Sequence, residues 1–311
     1  MKLALSTNWC NRRIADGAEI AEKALELGFD ELELGFRTSI ESVAGFRSML
    51  FKMPVGSIHA FCPVPLSAPA GHPELFQLAS FSRAERELAR AHVIKNIRFA
   101  AEIGADTVVL HAGRVAFNSL FSYNDSTRLR DVFKKCANKI EAKAYSALLA
   151  KAWRIRRRRG NALMKSFLAT LESIAGILEE NHITLALENL PYLEGFPNEA
   201  ETSAIIKHFK DSPVKAWFDT GHHRVRHMLG WIKPEVPGLD EPDTLSSRYA
   251  GMHLNDVVDY MDDHLAPGEG RVDFAALKDL AHSVKHVVVE PNGDVTEDSL
   301  SRAVAMLRRI Y

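Results

Sequence analysis

Eight short apolar runs recur along the chain, and helix-length amphipathic segments separate most of them. They cover residues 2–6, 31–34, 55–59, 107–111, 183–188, 214–219, 249–254 and 285–290. Strands that are largely apolar on both faces belong in a parallel sheet covered by helices, because each needs a helical crossover to reach its parallel neighbour. Eight such units in 311 residues predict a (β/α)8 TIM barrel occupying residues 1–311 as a single domain. Helix ends carry their own signal. The helical patterns at 14–27 and 83–103 close on Gly28 and Gly104, and glycine takes a left-handed cap without strain.

One connection is longer than a barrel needs. Between the fourth and fifth strands, residues 114–181 hold roughly two helices of sequence where one suffices, which predicts a helical insertion at about 115–160. It ends in RIRRRRGN, with five arginines between Arg154 and Arg159. Spread over a turn and a half of helix, they point in all directions. That predicts a solvated or carboxylate-paired helix end near Gly160 rather than a nucleic-acid surface.

Barrels of this kind place their chemistry at the C-terminal ends of the strands and in the loops just beyond. With 40 acidic residues and 13 histidines in the chain, chance puts one at about one or two of eight strand ends. Six ends carry one: His59, His111, Glu188, Asp219 and Glu290, with His253 one position inside its end. A carboxylate closing an apolar strand is costly unless it is paired, hydrogen-bonded or bound to a cation. Each histidine alone also fits a hydrogen-bonded core residue, but the shared register points to convergence on one metal centre.

Further candidates stand just past the ends. In DTGHH, His222 follows Asp219 by three residues, close enough to fold back on the same ion. The stretch HLNDVVDYMDDHLAPGEG offers Asn255, Asp256 and Asp259, then Asp262, Asp263 and His264. His72, His92, His182, His208, His223, His227, His282 and His286 share no such register and read as ordinary surface, loop or helix residues.

Composition narrows the partners. A net charge of -1 gives no general attraction to nucleic acid or an anionic membrane. Cys10, Cys62 and Cys136 lie far apart without a C-x-x-C pair, which fits a reducing compartment and leaves Cys10 and Cys62 able to face a site. Met1 runs straight into KLALS without the apolar core of a signal peptide. No apolar run approaches the roughly 18 residues of a membrane span, so the expected location is cytoplasmic.

The segments LGFDELELGF, EIGADTVVLHAGR, LALEN, FDTGH, HLND, DDHLAPGEGRVDF and VVVEPNG follow one another in this order. On them the chain resembles the xylose isomerase-like TIM-barrel superfamily over essentially its whole length, and most of all its sugar phosphate isomerase/epimerase group. The resemblance implies one divalent ion (zinc, manganese, magnesium or cobalt) held by Glu188, Asp219, His253 and Glu290. It implies acid and base roles for Glu188 and Glu290 on a small-molecule sugar or sugar phosphate, with a hydride shift as the family's other route. His59, His111, His222 and His264 then face the substrate. The related endonuclease IV branch implies a trinuclear zinc cluster in which His59, His111, His222, Asp262 and His264 join the four. Against that branch, NLPYLEG after Glu188 departs from the nuclease loop. Asp259 stands where some epimerases carry a substrate-binding arginine, which leaves Arg114 or Arg271 to contact a phosphate. A non-catalytic sugar-binding barrel is a third reading, and a homo-oligomer is compatible with all three.

Overall fold

The computed structural model describes residues 1–117, 125–232, 235–238 and 242–311. In chain order the first half holds β1 (Ala4–Ser6), α1 (Gly17–Glu26), β2 (Glu31–Leu34), α2 (Val43–Met49), β3 (Val55–His59), α3 (Arg83–Ile103), β4 (Thr107–Leu110), β5 (Gly113–Arg114), α4 (Asp125–Lys135) and α5 (Lys143–Glu180). The second half holds β6 (Thr184–Glu188), β7 (Gly195–Phe196), α6 (Glu199–His208), β8 (Val214–Asp219), α7 (Thr220–Met228), α8 (Pro242–Arg248), β9 (Tyr249–Leu254), α9 (Lys278–Ser283), β10 (His286–Val289) and α10 (Glu297–Ile310). Eight of the strands close into a parallel barrel in the order β1-β10-β9-β8-β6-β4-β3-β2, which is the (β/α)8 fold the strand pattern predicts. The two-residue strands β5 and β7 pair antiparallel and tie the loop after β4 to the loop after β6.

Two buried layers account for the apolar strands. Residues such as Leu5, Leu32, Val108, Leu185, Phe218 and Val287 join the ring of helices in one large core, with Ile97 and Ala100 of α3 and Phe167 and Leu171 of α5. Ala4, Val109, Ala186, Ala250 and Val288 form a separate buried cluster around Trp217 inside the barrel. Small residues leave the width that one indole fills. Gly251 is part of this fit, because a Cβ there would lie 2.3 Å from the Trp217 ring.

Four strands have the expected limits and the others shift by one or two residues, so His111 and Glu290 are the first residues beyond their strands. Helix α3 spans the predicted residues because both its ends are capped. The Ser82 side chain accepts from the Glu85 amide, and Gly104 takes φ 85°. Helix α1 starts at Gly17, three residues later than expected, where the Asp16 side chain accepts from the Ala18 amide at 3.0 Å.

The long connection departs from expectation. Helix α5 does not stop near Gly160 but runs for 38 residues, from Lys143 to Glu180. Its second half covers the barrel, and its first half packs with α4 in a cluster around Phe133, Tyr145, Leu149, Leu229 and Trp231. Residues 118–124 of the expected insertion lie outside the described residues. The arginine cluster does point in several directions. Arg154, Arg157 and Arg158 are exposed, whereas Arg156 is fully buried and grips Glu201 through both terminal nitrogens, at 2.8 and 2.6 Å. Its remaining donors reach the Leu193 and Gly195 carbonyls. Gly160 makes room for that grip: a Cβ there would stand 2.3 Å from both the Arg156 guanidinium and a Glu201 oxygen.

Candidate metal centre

The strand-end residues converge. Glu188 closes β6 at the middle of the group, with His59 Nε2 and His111 Nε2 each 3.1 Å from its Oε2. On its other oxygen, Oε1, His253 Nδ1 lies 3.3 Å away. The same His253 nitrogen is 3.2 Å from Glu290 Oε2 and 3.7 Å from Asp219 Oδ2. Above them, His222 Nε2 and His264 Nε2 lie 3.5 and 3.4 Å from the two oxygens of Asp262. Three sets therefore have donor atoms within 4.8 Å of one another: Glu188, Asp219, His253 and Glu290; His59, His111 and Glu188; and His222, Asp262 and His264. The first two sets are buried, while the third rises to the rim, where the Asp262 side chain is 30% exposed.

Four of the five rings are oriented by what holds their far side. Nδ1 of His59, His222 and His264 lies 3.0, 2.8 and 2.9 Å from the carbonyls of Ala60, Asn189 and Glu290. A carbonyl only accepts, so these nitrogens carry the hydrogen and a neutral ring keeps its Nε2 lone pair for the cluster. His253 is turned the other way: Nε2 donates to Glu33 Oε1 at 3.1 Å, and Nδ1 faces the three carboxylates. His111 Nδ1 is buried without a hydrogen-bond partner among the described residues, 4.0 Å from Glu74. The carboxylates are steadied as well. Asn8 donates to Glu290 at 3.0 Å, Asn255 donates to Asp219 at 2.7 Å, and Ser57 donates to Glu33 at 2.9 Å.

The local structure follows from the sequence. Asp219 also N-caps α7, accepting from the His222 amide at 2.7 Å, which is why a histidine three residues on returns to the site. In the loop after β9, Asp256 is not part of the cluster. Its carboxylate accepts from the amides of Val257, Gly268, Gly270 and Val272 and so folds the APGEGRV turn. Asp263 accepts from the Val258 amide, and Asp259 is exposed. His264 itself adopts φ 48°, a left-handed backbone uncommon outside glycine, and this carries its ring back over Glu290.

The buried carboxylates and imidazoles set one another's charge. Burial pushes Glu188 upward, but the charges of His111 and His253 outweigh it and hold the group well below the usual carboxylate range. Asp219 moves the other way, raised by burial with the Glu188 charge adding to it. Burial opposes charge on His253, yet Glu290, Glu33 and Glu188 hold its pKa well above the ordinary histidine value. A divalent ion satisfies the same carboxylates with neutral imidazoles, and the outward hydrogen bonds already select the tautomers that leave ring lone pairs inward.

A cavity of about 290 Å³ opens over this group, walled by Phe36, Arg37, Arg114, Tyr192 and Asn292 among others. Arg114 is held by Glu74 at 2.7 Å, and its guanidinium lies 3.7 Å over the Tyr192 ring. Arg271 is exposed and not part of the cavity wall. Neither Cys10 nor Cys62 faces the cavity. Both lie in the main core, where burial pushes the Cys10 thiol up to about 12 and raises Cys62 further. Sequence reasoning missed Glu33, which supports His253, and Glu74. Of the histidines read as surface, loop or helix residues, His72 is in a loop that lines the cavity and His223 is in α7, whereas His286 departs from that reading, buried in β10. The signal for Glu33 was its position in ELELG, one residue before a strand end.

The profile of the family described as xylose isomerase-like TIM barrel matches residues 21–310. The chain belongs to that family. Solved structures of similar fold include a D-tagatose 3-epimerase-like protein, at 19% identity and TM-score 0.63 over 100% of this chain and 97% of that one. The 3-keto-D-glucoside 4-epimerase YcjR of E. coli matches at 14% identity and TM-score 0.68 over 99% of both chains. IolI with a zinc atom matches at 12% identity and TM-score 0.66 over 100% and 99%. No curated protein sequence matches the chain. Sugar epimerases are thus among the solved structures of similar fold, and the residue groups that could hold a metal sit at the end of the barrel where this fold keeps its chemistry. Among the described residues no helix is long and apolar enough to cross a membrane.

Proposed function

We propose that this protein is a metal-dependent isomerase or epimerase of a sugar or sugar phosphate. The observation that carries the reading is the placement of Glu188 and Glu290. Both carboxylates approach one nitrogen of His253, at 3.3 and 3.2 Å, on the floor of the cavity of about 290 Å³. Glu188, Asp219, His253 and Glu290 would hold the ion. When bound, a divalent metal supplies a Lewis acid for a carbonyl oxygen and the hydroxyl next to it. Glu188 and Glu290 then handle the proton on the carbon beside that carbonyl. One carboxylate removes it, and return from the other to the opposite face inverts the centre. Asn8 keeps Glu290 aimed at the floor, and His222 and His264 offer hydrogen bonds to the sugar hydroxyls nearer the mouth. The likeness to sugar epimerases supports this reading, and the IolI structure with zinc supports the choice of a divalent ion.

Incubation of the metal-loaded protein with a panel of ketoses and their phosphates in D2O tests it. The expected result is conversion of one substrate with deuterium gained at the rearranged carbon. Conversion without deuterium would replace proton transfer by a hydride shift, and no conversion across the panel would remove the reading.

One specific observation favours a second reading. Two of the three donor sets share Glu188, and together the three use His59, His111, His222, Asp262 and His264 besides the floor residues, which suits a three-zinc centre acting on a phosphoester. Metal analysis separates the two, with about one ion per chain for the isomerase and about three for the phosphoesterase. Three zincs together with nicking of abasic duplex DNA would establish the second.

A further inference from the structure

Two arginines stand in the cavity wall, and they are in different electrostatic states. Arg114 is neutralised by Glu74 at 2.7 Å and stacked on Tyr192. Arg37 makes no ion pair among the described residues, although its side chain is only partly exposed and faces the cavity. It is nonetheless held in place. Its guanidinium lies 4.9 Å over the Phe36 ring, Phe36 meets the His59 ring edge-on at 5.2 Å, and the Arg37 amide donates to Asn8 Oδ1. That arrangement connects Arg37 by packing to His59 on the floor and through Asn8 to Glu290.

We propose that Arg37 binds an anionic group of the substrate, a phosphate monoester or a carboxylate, so that the protein acts on charged sugars in preference to neutral ones. This rests on reading the site as a sugar isomerase or epimerase. A guanidinium fixed at a cavity wall without a carboxylate of its own presents a fork of donors that matches a phosphate or carboxylate oxygen pair. Glu290, whose charge reaches Arg37, is engaged by Asn8 and His253. Burial and the like charge of Arg12 both disfavour the cation at Arg37, and an incoming anion relieves both. With the anion at Arg37, the far end of a sugar chain lies at the mouth and its reacting carbons lie over the two glutamates.

Calorimetric binding to the metal-loaded protein, measured without turnover, tests this. The probes are D-fructose, D-fructose 6-phosphate and D-galacturonate, against wild type, Arg37→Ala and Arg37→Lys. Wild type is expected to bind at least one anionic probe about tenfold or more tightly than D-fructose. Arg37→Ala should erase that preference and Arg37→Lys restore part of it. The phosphate and uronate arms show which anion is preferred. A preference that persists in Arg37→Ala, or no preference in wild type, overturns the proposal. An Arg37-dependent preference with no conversion of any sugar would instead sink the isomerase reading and leave the anion site standing.

Discussion

Glu33 accepts a hydrogen bond from Nε2 of His253 at 3.1 Å, and neither side chain has any exposure to solvent. This one contact decides which His253 nitrogen carries its proton, and so which one is presented to Glu188, Asp219 and Glu290. Glu33→Gln removes the charge and lets the amide donate instead, which favours the wrong tautomer. Metal affinity is expected to fall by about 10- to 100-fold. Titration of the apo protein with a divalent ion reads this directly, and equal affinity in the variant would show that Glu33 does not orient the ring.

Glu290→Gln keeps the shape of the side chain and its hydrogen bond from Asn8 but cannot exchange a proton. Turnover is expected to drop by about a hundredfold to ten-thousandfold, with an unchanged far-ultraviolet circular dichroism spectrum. Turnover within a few-fold of wild type would take Glu290 out of the acid and base roles.

Gly160 in mid-helix invites replacement by alanine, which on helix propensity alone would stabilise by about 1 kcal/mol. The structure predicts the opposite sign. A methyl group 2.3 Å from both members of the Arg156–Glu201 pair must displace a buried guanidinium. A loss of about 1–3 kcal/mol is expected for Gly160→Ala from the overpacking, and about 3 kcal/mol for Arg156→Met from the broken pair. Denaturant midpoints measure both, and a stabilised alanine variant would mean that the helix accommodates the methyl group.

His286 predicts a pH dependence away from the candidate metal centre. Burial disfavours its charge, but hydrogen bonds to Asp106 at 2.8 Å and Glu31 at 3.3 Å outweigh that and raise its pKa above 6.5. A folded value above the unfolded one contributes stability that is fully present below about 6.5 and is lost as pH rises through the raised value. Asp106 has the reverse sense. Burial raises it, but His286 and Lys285 pull it far below its ordinary value, so its contribution is present at neutral pH and lost in acid. Urea unfolding from pH 6 upward should show wild type losing stability relative to His286→Gln. Parallel curves would remove His286 as the source.

The barrel was legible because its strands are short apolar runs ending on chemistry-bearing residues, and both features follow from burial on two faces with one polar end. Helix α3 was legible to the residue because Ser82 and Gly104 mark its ends. Helix α5 was not, since Gly160 reads as a stop when only the local chain is considered. Its real partner is Glu201, forty-one positions away. Glu33 was passed over for a similar reason. ELEL alternates acid with apolar residues like a half-exposed strand, and only barrel closure shows that one acid points at His253. The inward turn of Arg156 and the burial of His286 also depend on partners that periodicity does not reveal.

Trp217 lies between His253, 5.1 Å away, and His286, 6.3 Å away, with small residues packed around it. The indole plugs the shaft of the barrel, so among the described residues the site opens through the cavity at the strand ends. On the proposed function, ion, sugar and water would all pass that mouth, and whichever sits higher would block the exit of what lies below. A bound sugar should therefore act as a cork. Chelators should strip the ion from the resting protein much faster than from protein saturated with substrate.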